Sequence, residues 1–188
     1  MKNEVEQAEP RDLRAELVAA AMTMLAEPQP VAVPSLRSIA RACNVAPSAV
    51  YWHFPSEADL RAAVLDAEYA DMITQVETAS TGAGYGVAAH VLAWQAYVAW
   101  GLSHPGAYQL LFESDDELAA SRADTDAHSR NRFVGLATAV APDAPLALAR
   151  LLWSAIHGLV SLRLHKKDVD WQLSAAEATA RIVTALST

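Results

Sequence analysis

Between Ser35 and Phe54 the chain reads SLRSIARACNVAPSAVYWHF, and the spacing of its apolar residues leaves few folds open. Leu36, Ile39, Ala40 and Cys43 recur at helical intervals and make one face of a short helix. Val45, Val50 and Phe54 make the facing side of a second. Ala40 stands where two such helices cross most closely, and a side chain that small lets the backbones approach. Asn44 is placed to leave the first helix in a left-handed conformation, where Asn is the most tolerant residue after Gly. Pro47 suits the first turn of the second helix, where its missing N–H is not needed. Ser35 can cap the first helix. Two short crossed helices joined this tightly form a helix-turn-helix, the unit that lays its second helix in the DNA major groove. The outward positions of that helix are Pro47, Ser48, Tyr51, Trp52 and His53. A surface of Tyr, Trp and His beside a small hydroxyl suits phosphate oxygens, base edges and thymine methyls.

The remaining residues predict helices throughout. Hydrophobic residues make up 53% of the 188, with Ala and Leu dominant, and β-branched residues never alternate in runs. A first helix is expected from Arg11 to Ala26, with Leu13, Leu17, Ala20, Met24 and Leu25 as its apolar stripe; the prolines at 28, 30 and 34 end it. After Phe54, Ser56 followed by Asp59 opens a long helix to about Thr78. Ser80 to Gly86 is a flexible break. Helices follow over Val87–Ser103, Ala107–Phe112, from Glu113–Glu117 to Val140, Leu146–Leu164 and Ser174–Leu186, the last with a capping box at Ser174 and Glu177. The expectation is an all-α protein of about nine helices without repeats. No apolar run is expected to span a bilayer. The first ten residues are polar and acidic, which reads as a disordered leader rather than a signal peptide. A single cysteine, Cys43, excludes an internal disulfide and fits a cytoplasmic location.

The net charge of −8 is unevenly placed. Residues 11–61 balance five arginines against five carboxylates, whereas residues 62–188 carry eight basic and fourteen acidic side chains. The acid therefore lies mostly outside the helix-turn-helix, as expected if only the amino-terminal part touches DNA. A balanced head predicts modest non-specific affinity and a shallow salt dependence.

No catalytic motif, phosphate loop or nucleophile elbow is present, so no enzyme activity and no cofactor are expected. His90, His104, His128, His157 and His165 lack the spacing of a metal site, and Glu113, Asp115, Asp116, Glu117, Asp124 and Asp126 lack that of a calcium loop. Trp94, Tyr97 and Trp100 lie at three-residue spacing on an apolar helix, which fits core packing or the lining of a cavity equally well. Trp153 and His157, four residues apart, share one helix face, and Gly158 beside them admits close packing of another helix.

The run Val45-Ala46-Pro47-Ser48-Ala49-Val50-Tyr51-Trp52-His53-Phe54-Pro55-Ser56-Glu57-Ala58-Asp59-Leu60 resembles the DNA-binding half of TetR-family transcriptional regulators, over about residues 11–66. Trp153, His157 and Gly158 resemble a Trp-x-x-x-His-Gly signature of one subgroup. The resemblance implies a helix-turn-helix domain over 11–66 and a larger ligand-binding and dimerisation domain over 67–188. It implies a homodimer that binds double-stranded DNA at an inverted-repeat operator and, most simply, a repressor released by a small apolar or aromatic effector. Ser35, Arg37, Arg41, Tyr51 and His53 are then phosphate contacts, and Pro47, Ser48 and Trp52 base readers. Trp94, Tyr97, Trp100, Phe112, Trp153 and His157 are the expected ligand contacts. Two positions depart from the pattern: Glu57 stands where Lys is usual, and Ala46 where a hydroxyl would cap the recognition helix. Two other readings stay open, a protein of this fold that has lost DNA binding and a helical enzyme.

Overall fold

The computed structural model describes residues 12–25, 34–113 and 125–187, with backbone alone for 125–131 and 133. Nine helices lie among them: α1 (Leu13–Met24), α2 (Leu36–Ala42), α3 (Pro47–His53), α4 (Glu57–Ser80), α5 (Val87–Ser103), α6 (Pro105–Phe112), α7 (Thr125–Val140), α8 (Leu146–His165) and α9 (Ala175–Leu186). The described residues hold no strand. The expected leader, the Glu27–Val33 loop and most of the acidic stretch after Glu113 lie outside the described residues.

Local chemistry sets the helix ends. The side chains of Asp12, Ser35 and Ser56 each accept a hydrogen bond from a backbone N–H three residues on, and Ser174 and Glu177 form the reciprocal capping box. Ala46 offers α3 no such bond, and Pro47 opens that helix instead. Asn44 has φ 54°, so the turn after α2 does pass through the left-handed region. The helix expected from Ala107 starts two residues earlier, because Pro105 fits its first turn.

Two apolar cores organise the chain. The first gathers Leu17 and Ala21 of α1, Leu25 just after it, Leu36, Ile39 and Ala40 of α2, Val50, Phe54, and Leu60 and Val64 of α4. The second gathers Met72 and Val76 of α4 with Trp94, Tyr97, Trp100, Tyr108, Leu152, Ile156, Val160 and Val183. Helix α4 runs through both. Helix α6 also joins them, for Leu110 belongs to the first core while Ala107 and Tyr108 belong to the second. Helices α5 and α6 meet closely at Gly101, where a Cβ would stand 2.7 Å from the Tyr108 ring.

Three expectations need correction. The break at Ser80–Gly86 is tied down at its carboxy-terminal end: Gly86 N–H donates to Asp143 Oδ2 (3.1 Å), and His90 Nε2 bonds Asp143 Oδ1 (2.5 Å). A Cβ at Gly158 would meet nothing within 4 Å, so this glycine admits no close neighbour inside the protomer. Helix α8, 20 residues with mean hydropathy 1.2, is long and apolar enough by length and composition to cross a membrane, contrary to the expectation from the sequence. Its inner residues Ala149, Leu152, Ile156 and Val160 are buried in the protein, while Leu146, Leu151 and Leu162 are exposed.

Candidate functional site

Two regions combine chemistry with exposure. The first is the outer surface of α2 and α3. Ser35, Arg37, Arg41, Pro47, Ser48, Tyr51, Trp52 and His53 are all exposed there, so the eight residues singled out from the sequence share the solvent side of the motif. Trp52 is 89% exposed, an unusual setting for an indole, whose large apolar area normally drives burial. Val50 and Phe54 anchor the opposite face of α3, and the Arg14 guanidinium lies 5.0 Å from the Phe54 ring centre. Between α2 and α3 a cleft of about 390 Å³ is lined by Arg37, Ala40, Arg41, Asn44, Val45 and Pro47. Two guanidinium groups at the rim of such a cleft suit phosphate oxygens. Glu57 is exposed at the first position of α4, where the helix dipole favours it but an approaching phosphate would not.

The second region is an aromatic cluster where α5, α6 and α8 meet. Tyr97 lies edge-on to Trp94 (5.5 Å), Tyr108 (6.0 Å) and Phe112 (5.8 Å). Phe112 also meets Trp153 (6.3 Å), and His157 stacks on Tyr108 (5.4 Å). Five of the six expected ligand residues thus come together. Trp100 turns away toward α4, donating its indole N–H to Asp71 (2.8 Å) and stacking on His104 (4.9 Å). Its burial serves the helix packing, not this cluster.

A directed chain of hydrogen bonds threads the rings. Trp153 Nε1–H donates to the Tyr97 hydroxyl (3.2 Å), Tyr97 to the Tyr108 hydroxyl (3.2 Å), and Tyr108 to His157 Nδ1 (2.5 Å). The His157 proton then sits on Nε2. Burial pushes both phenols above their usual pKa and lowers that of His157, so the chain is neutral. Trp94 Nε1–H, fully buried, has no hydrogen-bond partner among the described residues.

Tyr108, Gln109 and Glu68 were not singled out from the sequence, and Glu113 only as part of an acidic stretch. Spacing offered a signal for Tyr108, Gln109 and Glu113, since Tyr108 and Phe112, and Gln109 and Glu113, lie one helical turn apart. Nothing marked Glu68. It is buried to 1% exposure between the two cores, and burial lifts its pKa to about 7, with nearby His104 opposing.

A sequence profile described as the tetR family of bacterial regulatory proteins matches residues 17–64, and one described as a tetracyclin repressor-like C-terminal domain matches residues 91–186. Among solved structures, the chain is similar to SCO4313, a protein described as regulatory, with 20% identity, TM-score 0.69 and coverage of 94% of this chain and 98% of the other. It is also similar to the TetR family transcriptional regulator PfmR from Thermus thermophilus, with 15% identity, TM-score 0.57 and coverage of 91% and 96%. At such identities the likeness establishes fold alone. No curated protein matches the chain.

Proposed function

The chain belongs to the tetR family of bacterial regulatory proteins, which are DNA-binding transcriptional regulators, and from that premise we propose a homodimeric repressor released from its operator by a small effector. The observation that carries this reading is the contrast within α3: Val50 is fully buried while Trp52 is 89% exposed. A helix held that firmly by one face, with an indole, a phenol and an imidazole on the other, suits insertion into a major groove. In this reading Ser35, Arg37, Arg41, Tyr51 and His53 hold phosphates, and Pro47, Ser48 and Trp52 read base edges or methyls.

Dimerisation through α8 and α9 is supported by Leu151 and Leu162, which are 52% and 48% exposed on α8. Leu152, Ile156, Val160 and Val183 are buried within the protomer and contribute nothing to such an interface. Two-fold symmetry of such a dimer requires an inverted repeat in the DNA.

The aromatic cluster is the proposed effector site, with Trp94, Tyr97, Tyr108, Phe112, Trp153 and His157 as its contacts. Two routes lead from it to the head: α6 carries Tyr108 in the cluster and Leu110 in the head core, and α4 runs through both cores. An effector that prefers the conformation with the heads wrongly spaced would release DNA, and a coupling of about 1–3 kcal/mol would be ordinary. The cytoplasm, where the DNA lies, is the proposed location.

Selection from a random DNA library at low salt, with light scattering of the protein alone, tests the reading. The expected results are an enriched palindrome and twice the chain mass. Glu57→Lys should raise affinity for all sequences and steepen the salt dependence, by a slope of about 0.9 for one added phosphate contact. A clean monomer, or no enriched palindrome for either form, would favour a protein of this fold that does not bind DNA.

A further inference from the structure

Helix α6 and the residue that follows it carry, beside the edge of the aromatic cluster, two buried acceptors that the described residues leave unmatched. Gln109 Oε1 and Glu113 Oε1, one helical turn apart, are both buried and neither has a hydrogen-bond partner among the described residues. Gln109 is 8% exposed as a residue. A buried acceptor left unpaired is unfavourable, so two on successive turns of the chain form a site that favours a hydrogen-bond donor.

The adjoining histidine leaves both Oε1 atoms unmatched. His165 Nδ1 bonds the Ser161 carbonyl (2.7 Å). Its Nε2 lies 3.0 Å from Gln109 Nε2 and 3.6 Å from Glu113 Oε2, with which it forms an ion pair when the ring is protonated. Among the described residues no lysine or arginine pairs with Glu113. Its negative field reaches the rings, adding to the upward shift of Tyr97 and Tyr108 and working against the downward shift of His157. Phe112, between Gln109 and Glu113 in the chain, meets Trp153 (6.3 Å) and Tyr108 (5.0 Å). Aromatic faces beside a carboxylate attract cations by their ring quadrupoles as well as by charge.

We propose that the effector is an organic cation with N–H donors, a protonated amine on an aromatic frame, whose ammonium group sits against Gln109 Oε1 and Glu113 Oε1 and whose ring lies against Phe112, Tyr108 and Trp153. The inference rests on the reading of this cluster as the effector site and adds to it the charge of the ligand. Phe112, Trp153, His157 and Glu113 are only half-buried, which gives the molecule an edge to enter by.

Three probes of one shape and different charge test it: naphthylmethylamine, naphthylmethanol and naphthoate, titrated into the full chain by calorimetry and Trp fluorescence. The amine should bind at least ~10-fold more tightly than the alcohol, a difference of about 1.4 kcal/mol, and the carboxylate least. Glu113→Gln should bring the amine to within about twofold of the alcohol, because the charge that separates them is gone. The comparison on the unaltered protein stands by itself if that variant fails to fold. Equal or tighter binding of the alcohol or the carboxylate, at a site abolished by Trp153→Ala, would overturn the cationic ligand and keep the effector site. If none of the three binds, the reading of the cluster as an effector site falls, and the inference with it.

Discussion

Tyr108 and His157, 49 residues apart in the chain, are joined by a hydrogen bond of 2.5 Å from the phenol to imidazole Nδ1. This bond ties the short helix α6 to the middle of α8 and orients the imidazole. Tyr108→Phe would remove it and leave both His157 Nδ1 and the Tyr97 hydroxyl short of a partner. The variant should lose about 1–3 kcal/mol in urea denaturation. A stability equal to wild type within error would show that the bond contributes nothing net.

Trp52→Ala should leave stability unchanged, because the 89%-exposed indole packs on nothing that folding requires. It should cost about 1–3 kcal/mol of specific operator affinity, the scale of a base contact. Fluorescence anisotropy with the selected palindrome and a scrambled duplex separates the two effects. Equal losses on both duplexes would move Trp52 from base readout to the backbone.

Glu68 imposes a pH dependence with a definite sign. Its folded pKa of about 7 lies above the ordinary 4.5, so the buried neutral form is favoured. The stability tied to that proton is fully present below pH ~4.5 and is lost as pH rises through about 7. Glu68→Gln should therefore match wild type at pH 5 and exceed it by about 1–3 kcal/mol at pH 8. Parallel curves for the two proteins across that range would rule out the buried acid as the cause.

Gly101→Ala sets two effects against each other. Alanine favours a helix by about 0.8–1 kcal/mol over glycine, but its Cβ would stand 2.7 Å from Tyr108 Cδ2 and 3.0 Å from Val160 Cγ1. The Tyr108 ring, held by hydrogen bonds at its far end, yields little, and overpacking of this kind costs about 1–3 kcal/mol. The melting temperature should fall by several degrees, about 2–4 °C per kcal/mol for a chain of this size. Gly158→Ala, where a Cβ meets nothing within 4 Å, is the matched control and should not lower it in the isolated protomer.

Much of this architecture is local and was therefore written in the sequence. The helix-turn-helix could be read from Leu36, Ile39, Ala40, Asn44, Pro47, Val50 and Phe54 because each position follows from helical spacing, a turn conformation or a missing N–H, all settled within about twenty residues. The same holds for the caps at Ser35, Ser56 and Ser174 and for the outward set from Pro47 to His53. The one-sided character of a short helix already says which residues remain outside.

Distant contacts decided the body. Apolar aromatics at helical spacing suit a core and a binding cluster alike, and only the packing of α5 against α4, α6 and α8 separated Trp100, bound to Asp71, from Tyr97, bound to Tyr108 and Trp153. Likewise, only packing within the protomer shows which apolar residues of α8 and α9 are covered: Leu152, Ile156, Val160 and Val183 are buried, while Leu151 and Leu162 stay exposed. Gln109, Glu113 and Glu68 look in the chain like ordinary solvated side chains. Their meaning comes from burial, because desolvation raises the cost of an unpaired acceptor or a charged carboxyl only where the fold has excluded water. Sequence periodicity determines which face of a helix is apolar, but which partner covers that face, and which polar atom is trapped beneath it, is decided in three dimensions.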